Sequence, residues 1–144
     1  MKHSILITAL LFSCCLLGQD WKGNYAEALL ASKQESKPLV LVFSGSDWCG
    51  PCKRLDRNIW QSEAFKAYAS QHYILYNADF PRKKTNKLPE EKINANKQLA
   101  ERYNPKGHFP LVLVLNGQEE VLGKTGYEKV SPDAYLSLLN SFIK

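Results

Sequence analysis

Reactive and cross-linking side chains are scarce in this chain of 144 residues. Two of its four cysteines, Cys14 and Cys15, fall in an apolar leader, which leaves Cys49 and Cys52 for the body. No second Cys or His pair accompanies them, which argues against a four-ligand zinc site. No apolar run reaches the roughly 20 residues that a membrane-spanning helix needs. Apart from Arg82-Lys83-Lys84 the basic residues are scattered, and the stripe of cations interleaved with aromatics that marks a nucleic-acid reader is missing. There is no internal repeat or low-complexity tract. With 44% hydrophobic and 23% charged residues the chain is neither disordered nor fibrous, and its formal charge of +5 reads as a solvated surface.

What is present begins with the leader. Lys2 and His3 precede an apolar run from Ile5 to Leu17, and Gly18, Gln19 and Asp20 follow. Basic head, short apolar centre and small residue at the junction are the three parts of a secretory signal. Residues 1–18 are therefore expected to be removed, leaving 19–144 as one exported domain, with a bacterial periplasm the expected compartment and no stable membrane insertion of the mature chain. A lipid anchor through Cys14 is the alternative, weakened by the bulky Phe12 and by Cys15-Leu16-Leu17, which continue the apolar run.

Periodicity then gives the elements. Trp21 to Ser36 has helical spacing, and Leu39 to Phe43 is a continuous apolar run suited to a strand buried on both faces. Pro51 to Gln71 reads as one helix, Tyr73 to Asp79 as a strand, and Phe80 to Pro89 as a basic loop. A helix from Pro89 to Tyr103 leads to a strand from Leu111 to Leu115, and Asn116-Gly117 signals a tight turn into a return strand, Glu119 to Leu122. Ser131 caps a closing helix over Ala134 to Ile143. A β-α-β start, a hairpin and a last helix predict an α/β fold: a mixed central sheet with helices on both faces.

Cys49 and Cys52 are two residues apart, so a bond between them closes almost no loop and removes little entropy from the unfolded chain. Reactivity explains such a pair better than stability. At the start of a helix a cysteine's thiolate is favoured by unpaired backbone N–H groups and the helix dipole, and Cys49 holds that place, one turn before a less exposed Cys52.

Trp48-Cys49-Gly50-Pro51-Cys52-Lys53 after a buried strand, with Phe109-Pro110, Asn116-Gly117 and Gly123-Lys124-Thr125-Gly126 further on, resembles the thioredoxin superfamily. Gly45-Ser46-Asp47 before the motif and Asp79-Phe80-Pro81 after the next strand look like its exported bacterial members. The resemblance spans about Trp21 to Lys144. It implies a thioredoxin fold and a thiol–disulfide oxidoreductase that reduces or exchanges disulfides in exported proteins. Cys49 would be the nucleophile and Cys52 the resolver, with no cofactor beyond their own redox-active disulfide and no metal. Trp48, Gly50, Pro51, Phe109 and Pro110 would form the substrate surface, Pro110 as a cis-proline that exposes the backbone of Phe109 to a substrate strand. An electron-donor thiol protein would recharge the pair, and Pro51 implies a reducing poise.

Two departures follow. The resemblance implies a buried acid in the strand before the motif, relaying protons to the resolving cysteine, but the matching position is Phe43. The relay is then absent or supplied elsewhere, Asp47 being the nearest candidate for proton handling, and an acid introduced at Phe43 is expected to speed resolution. The Phe80–Pro89 loop is an addition that either shapes partner choice or is passive.

Two other classes of function compete: a metal carrier through Cys49, Cys52 and His108, and a non-catalytic peptide-binding module. Replacing Cys49 separates them, since catalysis would vanish, metal binding weaken and peptide binding survive. The leader generates the first test. Mass spectrometry of the exported protein is expected to find an N-terminus near Gln19, and an acylated Cys14 there would overturn the expectation.

Overall fold

The computed structural model describes residues 19–144; the leader, with Cys14 and Cys15, lies outside them. Four strands, β1 (Leu39–Ser44), β2 (Ile74–Asp79), β3 (Leu111–Leu115) and β4 (Val121–Thr125), form one sheet in the order β2-β1-β3-β4. β1 runs parallel to β2 and antiparallel to β3, and β3 is antiparallel to β4. Every residue of β1 is buried, as its unbroken apolar run requires of a strand covered on both faces.

The alternation of side chains along β1 splits the core in two. Val40 and Val42 join Leu55, Trp60, Phe65 and Tyr135 on one face, covered by α2 (Gly50–Leu55), α3 (Glu63–His72) and α5 (Pro132–Ser141). Leu39, Leu41 and Phe43 join Tyr76, Leu113 and Leu99 on the other, under α1 (Tyr25–Glu35) and α4 (Glu90–Tyr103). The expected mixed sheet with helices on both faces is the fold observed.

Three boundaries differ from the periodicity, each for a local reason. Trp21 is not helical: it forms a parallel bridge with Leu75, and α1 starts only at Tyr25, where Asn24 Oδ1 accepts the Glu27 N–H at 2.9 Å. The single helix expected from Pro51 to Gln71 is broken. α2 passes into a π-helical turn, Asp56–Trp60, and Ser62 starts α3 afresh, its Oγ donating to Ile59 O at 2.6 Å and accepting from Phe65 N at 3.2 Å. The hairpin is wider than a two-residue turn. Asn116 Oδ1 accepts from the N–H groups of Gln118 and Glu120, Glu119 adopts a φ of 64°, and the return strand starts at Val121 instead of Glu119. That strand runs through Gly123, where a Cβ would overlap the Phe142 ring.

Asn96, fully buried on α4, fixes this helix to the end of β2 beside the motif. Its Oδ1 accepts from Tyr76 Oη at 2.7 Å and its Nδ2 donates to Asp79 O at 3.0 Å. Removing the amide orphans a buried hydroxyl and a carbonyl. Asn96→Ala is expected to lower stability by about 2 kcal/mol, measured by chemical denaturation.

Candidate active site

β1 ends in a turn built on Gly45, whose carbonyl accepts from both Trp48 N (3.2 Å) and Cys49 N (2.8 Å). A Cβ on Gly45 would overlap the Trp48 indole, so the ring lies directly on the turn's backbone. The ring is held on its other sides too. Nε1 donates to Phe80 O at 2.7 Å, Phe109 meets it edge-on with centroids 5.4 Å apart, and the Arg82 guanidinium lies 3.8 Å over it.

α2 opens on the motif. Cys49 is its N-cap and Pro51 sits in its first turn, where a missing N–H costs nothing. Cys49 and Cys52 are disulfide-bonded with Cα atoms 5.2 Å apart, and Cys49 Sγ accepts the Cys52 N–H at 3.2 Å. The expected difference in exposure is not observed: Cys49 is 4% exposed and Cys52 5%. What distinguishes the two sulfurs is the backbone donor aimed at Cys49.

Phe109–Pro110 is a cis peptide bond. Asn104, buried in the preceding loop, donates to and accepts from the backbone of His108 at 2.8 and 2.9 Å, which fixes the approach to that bond. Phe109 precedes β3, and none of the loop hydrogen bonds among the described residues engages its backbone. Trp48, Cys49, Cys52, Phe109 and Pro110 thus gather at one end of the sheet. Gly50 is exposed at the same place, with room for a side chain, since a Cβ there would make only ordinary contact with Arg54.

Asp47 is engaged by the Phe80–Pro89 loop. Its carboxylate accepts from the backbone N–H groups of Arg82 (3.0 Å) and Lys83 (2.9 Å) and from Asn86 Nδ2 (3.0 Å). The Arg82 N–H is the largest cause of a pKa held down at about 2.

Phe43 does not lie beneath Cys52. Its ring is on the opposite sheet face with Tyr76, Phe80 and Phe109. Cys52 instead shares an open cavity of about 400 Å³ with Val42, Ser44, Asn77 and Pro110. The count back from the motif through the Ser44–Trp48 turn is off by one residue, and a slip of one transfers a strand side chain to the other face. An acid at Phe43 would enter an apolar cluster remote from the sulfur and only cost stability. The polar groups the sequence did not reveal are Ser44, Asn77 and Asp79, alternate residues on the cavity face. Ser44 Oγ lies 2.8 Å from Asn77 Oδ1 and 3.2 Å from Asp79 Oδ1, so its one proton serves either acceptor. The signal available was the i, i+2 spacing of Asn77 and Asp79 in an otherwise apolar strand.

Among the described residues no three His, Cys, Asp or Glu side chains cluster to hold a metal, and no helix is long and apolar enough to cross a membrane.

A mixed four-stranded sheet, a Cys-x-x-Cys disulfide capping the helix that follows its central strand and a cis-proline alongside define a thioredoxin-fold thiol–disulfide oxidoreductase. A family profile described as thioredoxin-like matches residues 20–117. Over 125 residues, 87% of this chain and 73% of the relative, the sequence is 39% identical to the disulfide bond reductase DsbH of Chlamydia pneumoniae. A solved structure of a DsbH oxidoreductase matches with a TM-score of 0.81 and 33% identity, over 99% of this chain and 94% of that one. A disulphide isomerase from Xylella fastidiosa Temecula1 shares the fold, with a TM-score of 0.60 and 21% identity over 83% and 88% of the two chains. The chain belongs to the thioredoxin-like family.

The Asp47 anchor has a pH signature. Its folded pKa lies below the ordinary 3.8, so its contribution is complete above that value and is lost as pH falls through about 2. The Arg82 and Lys83 amide resonances are expected to titrate in NMR spectra with a midpoint near 2. A midpoint at the ordinary carboxylate value would mean that the anchor does not form.

Proposed function

We propose that the protein reduces disulfides in exported protein substrates, with Cys49 as nucleophile and Cys52 as resolver. The observation that carries the assignment is the Cys52 N–H donating to Cys49 Sγ, because a backbone donor favours the thiolate over the thiol. In the dithiol form the Cys49 thiolate attacks one sulfur of a substrate disulfide. That bond breaks, a mixed disulfide forms, and the departing substrate thiolate takes up a proton. The Cys52 thiolate then attacks Cys49 Sγ, which closes the Cys49–Cys52 bond and releases the second substrate thiolate. Two electrons pass to the substrate, and a donor thiol protein returns two to the pair.

Trp48, Gly50, Pro51, Phe109 and Pro110 would form the substrate surface, the Phe109 backbone pairing with an extended substrate segment. Asp47 takes a different role from proton handling. A carboxylate with three donors and a pKa of about 2 stays ionised at neutral pH and anchors a loop. Protons for Cys52 would move through the cavity beside Ser44 and Asn77, which is roomy and polar enough to take water. Reduction as the direction is supported by the Gly50-Pro51 dipeptide and by the similarity to a protein named as a disulfide bond reductase. Export follows from the leader reading, with 19–144 as the working domain.

Reduction of insulin disulfides with dithiothreitol as donor provides the test. The wild type is expected to accelerate it and Cys49→Ser to abolish the acceleration. Cys52→Ser is expected to accumulate mixed disulfides through Cys49, while Cys49→Ser traps few. Equal trapping by both variants would overturn the assignment of roles.

A further inference from the structure

Several exposed cations border the motif without a carboxylate partner among the described residues. Four ion pairs occur among the described residues: Lys22–Asp20, Lys37–Glu35, Lys87–Glu90 and Arg102–Glu119. Beside the motif, Lys53, Arg57, Arg82, Lys83 and Lys84 are all exposed, and none has a carboxylate within ion-pair distance among the described residues. The acids nearby are already engaged: Asp47 by the loop backbone, Asp79 by Ser44 and Ser46, Asp56 by Gln61 Nε2.

The Arg82 and Lys53 side chains, and the loop backbone that carries Lys83, are tethered to the motif's turn. Asp47 binds two consecutive N–H groups of the loop, Phe80 O accepts from Trp48, and Arg82 stacks on that same indole. Lys53 Nζ donates to the Asp47 carbonyl at 3.1 Å, which joins the first turn of α2 to the base of the loop. Between the loop and α4 lies a cleft of about 230 Å³ lined by Phe80, Arg82, Lys83, Lys84 and Lys87, and by Asp79, whose carboxylate is taken by Ser44 and Ser46. Arg82, on that lining, also lies over the Trp48 ring beside the sulfurs. Cations on a loop whose backbone is anchored at that point attract carboxylates.

We propose that the Arg82–Lys87 loop, with Lys53 and Arg57, is a specificity rim that selects substrates carrying Asp or Glu close to the reactive cysteine; this rests on the oxidoreductase reading above. A protein segment suits the rim better than an anionic lipid surface, because the charges border the one place where a substrate disulfide must enter.

The test uses two disulfide-linked peptides of equal length, one with acidic and one with neutral residues beside the cysteine, and the exported form of the full chain. At low salt the ratio of kcat/KM, acidic over neutral, is expected to be about tenfold, the sum of several exposed charge contacts. It should collapse towards one near 1 M salt, where screening acts within about 3 Å. Lys83→Gln with Lys84→Gln should lower the ratio severalfold, and Lys83→Glu with Lys84→Glu should bring it close to one. Because the neutral peptide normalises each variant, a general loss of activity does not mimic the result. Equal kcat/KM for the two peptides at low salt, or a preference that survives both double variants, overturns the rim and leaves the oxidoreductase reading standing. Binding to anionic vesicles through the same lysines, without peptide preference, overturns it in favour of a lipid-facing role. Failure to reduce either peptide removes both readings.

Discussion

The site is organised around the seat of the Trp48 ring on Gly45. A side chain at residue 45 would occupy the volume of the indole, so glycine there lets the ring lie flat on the turn that ends β1. From that position the indole reaches three other segments: the carbonyl of Phe80 at the end of β2, the Phe109 ring before the cis-proline, and the Arg82 guanidinium on the added loop. The sheet pairs Ser44 with Asp79 and Phe43 with Leu111, and Phe80 N donates to Ser44 O. The side chains just beyond those pairs still have to be joined to the turn. One aromatic side chain with a polar edge does it, since its faces take apolar and cationic contacts while its N–H satisfies a carbonyl.

The two cysteines are set by a different and more local device. β1 is buried throughout, so the chain leaves the sheet at a fixed height, and the Gly45 carbonyl takes the next free N–H groups. α2 must then begin at Cys49, whose sulfur replaces the oxygen of an ordinary cap. Both sulfurs being buried, their unequal chemistry arises from what each faces: a backbone N–H for Cys49, a cavity with hydroxyl and amide groups for Cys52. On the proposed mechanism, that division would supply a donor to the Cys49 thiolate and a path for the proton that Cys52 must lose before it attacks.

Much of this was legible in the sequence because it is written in contiguous signals. The apolar run of Leu39–Phe43, the Cys-x-x-Cys spacing and the Ser131 cap each act within a few residues, and each corresponds to the element observed. The misplacements share a cause, which is that a local count was asked to fix a three-dimensional position. Phe43 was assigned to the wrong face because a turn of unknown geometry separates it from the motif. The break at Asp56–Trp60 was hidden because a π turn preserves the apolar stripe, carrying Ile59 and Trp60 into the same core as α2 and α3. Asp47 was read as a group near the sulfurs, yet its partners lie more than thirty residues away, in a loop whose path has no periodic signal.

The loop itself shows how an addition to a fold becomes part of its site. Basic and interrupted by prolines, it has little apolar content to hold it down, and on composition alone it would be a mobile excursion. It is held by polar contacts with the motif's own turn. Asp47 satisfies two of its N–H groups, and Ser46 shares the Asp79 carboxylate at the point where the loop departs from β2. Because these contacts arise from residues 46–48, the loop backbone is tied to the same turn that carries Cys49. On the proposed reading, a carboxylate bound on the loop and a disulfide presented to Cys49 would be positioned against the same turn. Such coupling would turn a weak exposed charge contact into a constraint on which cysteine of a partner arrives at the sulfur.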